Sequence, residues 1–309
     1  MKGLKARVTG DALATKLDAI KRLQALPLNK KIDMALEIIE KSKEHRRENS
    51  RVCCCFSGGK DSCTVLSLLC RVFPRGEIVC NYNPTLLMAP GRLEKIKSFA
   101  DKEGVEFVAT EPIDVFKMWQ ETGYFPIFPK RSQSKMGKRY GIKCGPVQCC
   151  YRQKEAPFLK FVKDWAINLT YWGNRASEST RRLFLAVDTP PIALSQRGRF
   201  NVYPILYWTL GDVLKYIGQN IPWFEGHKAA YNEDCIACAT DIGCFPNNLY
   251  RLLQRDPGTF KKVMRAGFGE QMLKANKQPP EKLEYFLEHN PEKLCIIEGV
   301  TQGKRRARA

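Results

Sequence analysis

Apolar positions at helical spacing open the chain. Leu13, Leu17, Ile20 and Leu23, then Ile32, Ala35, Ile38 and Ile39, each mark one helix face, and Pro27 between the two sets must end one helix before the next begins. This predicts a helical N-terminal segment over residues 1–48. Residues 52–56, Val-Cys-Cys-Cys-Phe, form an unbroken apolar run of the kind found in a strand covered on both faces. The loop 57–62 and an apolar helical stretch over 64–69 follow, giving strand, loop, helix. Further short apolar runs at 78–80, 106–109 and 168–172 alternate with helical stretches at 92–103 and 157–166. That alternation predicts an α/β fold, a doubly wound parallel sheet with right-handed crossovers, over residues 49–230. Residues 130–143, rich in Lys, Arg, Ser and Gly, are expected to form a basic loop. From residue 231 to 309 cysteine, glycine, proline and charge predominate, predicting a small Cys-rich closing segment that ends in the basic tail 303–308. No internal repeat is visible.

Composition narrows the partners. The 309 residues, 44% of them hydrophobic, suffice for one large domain with a smaller appendage. No run approaches the roughly 18 apolar residues of a membrane span, and Met1 to Lys5 lead into polar sequence, so a cytoplasmic protein without membrane contact is expected. A net charge of +19 favours polyanionic partners, nucleic acid or nucleotides. Thirteen cysteines without a secretory context point to metal binding rather than a disulfide framework. His45, His227 and His289 lack zinc-ligand spacing, which argues against a hydrolytic zinc enzyme.

Between a buried strand and a helix, Ser57-Gly58-Gly59-Lys60-Asp61-Ser62 has the parts of an anion site: glycines that let backbone N–H groups approach phosphate, a helix N-terminus, a lysine and two hydroxyls. The spacing is not that of a Walker A loop. The segment resembles the Ser-Gly-Gly-x-Asp-Ser signature of the PP-loop family. That resemblance implies an adenine nucleotide alpha hydrolase-like, Rossmann-like domain that binds ATP or an adenylyl-sulfate nucleotide.

A second motif, Gly173-Asn174-Arg175-Ala176-Ser177-Glu178-Ser179-Thr180-Arg181-Arg182, puts arginines at the carboxyl end of a strand, where α/β sheets bind ligands and where a guanidinium suits phosphate or sulfate. It looks like the Gly-x-Arg-x-x-Glu/Gln-Ser-x-x-Arg motif of the phosphoadenylyl-sulfate reductase branch. Val202 to Trp208, with Asp212-Val213 and Tyr216-Ile217, is similar to another block of that branch. The resemblance implies Lys60, Arg175 and Arg181 as catalytic cations, and Ser57, Gly58, Gly59, Asp61, Ser62, Gly173 and Glu178 as further nucleotide contacts.

Cys149-Cys150 and Cys235-x-x-Cys238 supply four thiols, which on spacing alone suit zinc or an iron–sulfur cluster. The pairing is similar to the [4Fe-4S] site of adenylyl-sulfate reductases. A competing set, Cys150, Cys235, Cys238 and Cys244, resembles the sulfur-transfer enzymes of DNA phosphorothioation. Cys53, Cys54, Cys55, Cys63, Cys70 and Cys80 fall on apolar strand or helix positions and are expected in the core. The Glu-Cys-Gly-Leu-His nucleophile motif of assimilatory reductases does not occur; Cys295 lies in an apolar context, and Cys144 flanks the basic loop. These features together predict an enzyme that transfers sulfur to a nucleic acid using ATP, with a [4Fe-4S] cluster, bridging Mg²⁺ and a protein donor of sulfur or electrons. The alternatives are a sulfonucleotide reductase that releases sulfite, and a non-catalytic nucleic-acid-binding accessory protein.

Overall fold

The computed structural model describes residues 10–85, 88–114, 117, 151–224, 252–254 and 256–265. The chain divides into two compact units. The first comprises Met1–Tyr82, Leu93–Thr110 and Phe158–Lys228, the second Asn83–Arg92, Glu111–Pro157 and Ala229–Ala309.

In the first unit the two periodic stretches at the N-terminus form helices α1 (Asp11–Gln24) and α2 (Leu28–Ser42), with Pro27 as the N-cap of α2. The six-stranded sheet consists of β1 (Val52–Cys55), β2 (Ile78–Tyr82), β3 (Glu106–Ala109), β4 (Leu169–Tyr171), β5 (Ile192–Leu194) and β6 (Phe200–Val202). Its order is β3-β2-β1-β4-β6-β5, parallel throughout except for β5, which runs antiparallel to β6. The chain moves outward from β1 through β2 to β3, then returns to the other side of β1 as β4. The crevice between the carboxyl ends of β1 and β4 is therefore the switch point of a doubly wound sheet.

Register shows why the unbroken cysteine run makes a central strand. Cys54 pairs with Cys80 and Tyr171 across the sheet, and Cys53 pairs with Val79 and Thr170. One face, carrying Cys54 and Tyr171, is covered by α2 and by α3 (Lys60–Leu69): the Tyr171 hydroxyl meets Ser42 Oγ at 2.7 Å, and Cys54 lies near the Ser62 carbonyl. The other face packs Cys53 and Val79 against Phe158, Phe161 and Val162 of α5 (Ala156–Asp164). With both faces covered, alternation vanishes and the strand reads as continuously apolar. Helix α4 (Arg92–Lys102) leads into β3, α6 (Thr180–Asp188) follows β4, and α7 (Leu210–Asn220) follows β6.

Helix α7 begins with a capping box between Thr209 and Asp212, and Asp212 is also held by Lys31 of α2 at 2.6 Å. Lys31 is 3% exposed, and its ammonium donates a second bond to the Gln24 carbonyl at 2.6 Å. Burial alone would raise the Asp212 pKa, but the Lys31 ammonium and the Thr209 N–H and hydroxyl outweigh it and hold the carboxyl below its usual range.

Of the second unit, the described parts include the π-helical turn Tyr151–Glu155 and helix α8 (Pro257–Arg265), whose start is held by Asp256 accepting from the Thr259 N–H and hydroxyl.

Candidate functional site

The phosphate-loop sequence leaves β1 and turns into α3 at the switch point. Gly58 takes φ +64°, and a Cβ there would lie 2.9 Å from Ile96 Cγ1 of α4, so the turn needs glycine on both counts. Gly59 is the N-cap of α3 with extended backbone, and no side chain caps the first turn. Helices α6 and α7, by contrast, are capped by Ser179 and Thr209. Ser57 and Ser62 bring their hydroxyls to 3.3 Å, and Ser62 donates to the Gly59 carbonyl at 3.0 Å. The loop thus offers hydroxyls and first-turn N–H groups at the positive end of a helix.

The arginine loop arrives from β4. Gly173 comes so close to α3 that a Cβ would stand 2.9 Å from the Asp61 carbonyl carbon. This approach lets Arg175, though its side chain is only 5% exposed, donate from Nε to Asp61 Oδ1 at 2.6 Å. Lys60 Nζ donates to the other oxygen, Oδ2, at 3.0 Å. One carboxylate therefore gathers two cations, its neighbour Lys60 and Arg175, which lies 114 residues further along the chain. Two positive groups against one negative, beside an uncapped helix start, make a pocket of positive potential suited to a polyanion.

Several predicted residues stand apart from this cluster. Arg181 is exposed in the first turn of α6, and Glu178 pairs with Arg182 at 3.6 Å rather than with the cluster. Cys149, Cys150, Cys235, Cys238 and Cys244, like Cys144 and Cys295, lie outside the described residues. Among the described residues, no group of three or more His, Cys, Asp or Glu is placed to hold a metal ion. Of the six core cysteines, Cys53, Cys54, Cys63 and Cys80 are buried, and Cys55 and Cys70 are half-buried. Burial pushes the Cys55 and Cys80 thiols well up and the Cys70 thiol to about 12, the opposite of what a nucleophile needs.

The family model described as the phosphoadenosine phosphosulfate reductase domain matches residues 51–249, from the start of β1 past the end of α7. The chain belongs to that family. Both loops of this reductase-family domain, 57–62 and 173–178, fall inside the matched span, whereas α1 and α2 precede it. No curated protein sequence matches the chain. Among solved structures, it is similar to a phosphoadenylyl-sulfate reductase from Candida auris in its phosphate complex. The identity is 12%, the coverage 70% of this chain and 89% of that one, and the TM-score 0.41. It is also similar to a Candida glabrata FMN adenylyltransferase in complex with ATP, at 12% identity, 67% and 63% coverage and a TM-score of 0.40.

Three supports of the site lie outside the residues predicted to contact the nucleotide. Ile96 lies against Gly58; the Leu206 carbonyl accepts from the Ala176 N–H at 2.7 Å; Ser177 bridges Arg175 to the Trp208 carbonyl. Leu206 and Trp208 belong to a block that was legible by resemblance. Ile96 has the signature of any apolar residue on a helix face, and nothing in the sequence distinguishes it.

Proposed function

We propose that this reductase-family chain binds an adenine nucleotide by its phosphates at Ser57 to Ser62 and Arg175, and uses ATP to transfer sulfur to a nucleic acid. The observation that carries the proposal is the meeting of Lys60 and Arg175 on the Asp61 carboxylate, at the switch point where open α/β sheets take their ligands. In this reading Ser57, Gly58, Gly59 and Ser62 cradle phosphate oxygens, and Gly173 keeps the arginine loop close enough to share them. Glu178 steadies that loop. Lys60 and Arg175 stabilise charge that develops on the phosphates during transfer, and Arg181, exposed at the start of α6 and apart from that pair, would join them by reaching in from solvent.

An oxygen of the nucleic acid attacks the α-phosphorus of ATP and pyrophosphate leaves. Sulfide given up by a donor protein then attacks the activated atom; the bond to sulfur forms as the bond to the adenylated oxygen breaks, and AMP leaves with that oxygen. The net charge of +19 supports a polyanionic acceptor. Both oxygens of Asp61 already serve cations, so a bridging Mg²⁺ would be held chiefly by the nucleotide's own oxygens, as is common for this ion. A [4Fe-4S] cluster, which would supply electron or sulfur chemistry, is assigned to Cys149, Cys150, Cys235 and Cys238, with Cys244 as the substitute for Cys149.

Reduction of a sulfonucleotide to sulfite is the second reading, favoured by the family to which the chain belongs. It requires a thiol nucleophile, and Cys55, Cys70 and Cys80 are unsuited to it by their raised pKa. Cys144 or Cys295 would have to serve.

The deciding experiment incubates anaerobically purified protein with α-labelled ATP, nucleic acid and a sulfide source, and in parallel with adenylyl-sulfate and a dithiol. Release of AMP and pyrophosphate that depends on nucleic acid and is lost in Lys60→Ala supports the proposal. Sulfite from adenylyl-sulfate without ATP would replace it with the reductase reading, and normal function of Lys60→Ala would leave a binding protein.

A further inference from the structure

The pattern shared by Gly173, Arg175, Glu178 and Ser179 leaves position 177 unspecified, yet the structure gives Ser177 a definite task. Arg175 Nη1 donates to Ser177 Oγ at 2.9 Å, and Ser177 Oγ in turn donates to the Trp208 carbonyl at 2.9 Å. A hydroxyl has one proton. With that proton committed to Trp208, the Ser177 oxygen can only accept from the guanidinium, so the direction of the relay is fixed.

Its far end is firmly anchored. Trp208 is 2% exposed, its N–H donates to the Ile205 carbonyl at 3.0 Å, and its ring packs edge-on against Tyr216 of α7 with centroids 5.5 Å apart. Tyr216 reaches on to Ser67 of α3 at 3.1 Å, and the Ala176 N–H to Leu206 carbonyl bond pins the same loop one residue earlier. The guanidinium is therefore gripped at two nitrogens, Nε by Asp61 and Nη1 by Ser177, each through a different part of the fold. Nη2 carries no hydrogen bond among the described residues and is the nitrogen left for a ligand. A planar fork held in this way loses little further freedom on binding.

We propose that Ser177 is a positioning residue that fixes the orientation of the Arg175 guanidinium for the bound phosphates, acting through Arg175 without touching the nucleotide. The inference rests on the nucleotide-binding reading of Arg175. Ser177 itself is exposed, so its replacement leaves the fold intact.

The test is a binding cycle by calorimetry with inorganic pyrophosphate and with ATP, on wild type, Ser177→Ala, Ser177→Thr, Arg175→Lys and the Arg175→Lys/Ser177→Ala double variant. A lysine ammonium cannot span Asp61 and Ser177 as the fork does. Ser177→Ala should weaken both ligands about fivefold, in line with one lost hydrogen bond. Ser177→Thr, which keeps the hydroxyl, should stay within about twofold of wild type, and Ser177→Ala should cost nothing further in the Arg175→Lys background. Wild-type affinity in Ser177→Ala, or an equal loss in both backgrounds, overturns the positioning role alone. Failure of the wild type to bind either ligand overturns the nucleotide reading, and this inference with it.

Discussion

Asp61 is the joint of the site, and its neutralisation makes a sharp test. The substitution Asp61→Asn keeps shape and one acceptor oxygen but removes the charge shared by Arg175 Nε at 2.6 Å and Lys60 Nζ at 3.0 Å. The two contacts are unequal. Arg175 is 5% exposed and cannot turn to solvent, so replacing its charge-assisted bond by a neutral one should cost about 1.5 kcal/mol or somewhat more. Lys60 is 36% exposed and can rehydrate, so its share is about 0.5 kcal/mol. The sum, about 2 kcal/mol, lies below the roughly 3–5 kcal/mol typical of stripping one partner from a fully buried pair, because the amide dipole remains. For a domain of this size it should lower the melting midpoint by about 4–8 °C, read by scanning calorimetry. The sign reverses with ligand present. Two cations without their carboxylate bind an anion more tightly, so saturating pyrophosphate should raise the midpoint of Asp61→Asn by more than that of wild type. An unchanged midpoint without ligand would refute the claim that the pair is buried and coupled. A smaller gain with pyrophosphate would refute the charge balance and show that Asp61 mainly aims the cations.

Three further outcomes are expected. Gly173→Ala places a methyl group 2.9 Å from the Asp61 backbone, so it should push the arginine loop off α3 and weaken pyrophosphate binding at least tenfold, measured by calorimetry, while secondary structure by circular dichroism is kept. Because the folded pKa of Asp212 lies below its unfolded value near roughly 4, the ionised form favours the fold: its contribution is present above about pH 4 and lost as pH falls through the lower, folded value. The stability gap between wild type and Asp212→Asn in urea should accordingly be widest near neutrality and close in acid. Thiol mapping by mass spectrometry at pH 8 should find Cys55, Cys70 and Cys80 unlabelled in the native protein and labelled in denaturant, since burial raises all three.

Much of the sheet was legible because its central strands are covered on both faces. Val52 to Cys55 is apolar without a break, Ile78 to Tyr82 is buried throughout and interrupted only by Asn81, and turn signals bound both closely. Strands β5 and β6 escaped because, unlike the equally short but fully buried β4, they are only partly covered: Phe200 and Asn201 are half-buried, and Leu194 is 63% exposed. A strand that short has no period to detect, and its place is set by pairing across the hairpin and with β4, which are long-range facts. The tight turn at Gly198, φ +72°, was the one local sign.

The chemistry of the site was more legible than its mechanics. Lys60 and Arg175 could be named because phosphate chemistry demands those side chains at strand ends, and the fold brings both to one carboxylate. What no local pattern could state is which groups hold them. Ile96 behind Gly58, and the Leu206 and Trp208 carbonyls behind residues 176–177, act through backbone approach or as ordinary core, and neither leaves a compositional trace. Glu178 shows the converse case, a motif residue whose partner here is Arg182, four residues on in α6. The motifs name side chains that can touch a phosphate, but the geometry that holds them is set by residues outside the phosphate loop and the arginine motif, several of them through backbone atoms. In this chain a run of contacts leads from Lys31 through Asp212 and α7 to Trp208, so the helical N-terminal segment, which lies outside the matched domain, packs on an element that also supports the arginine loop.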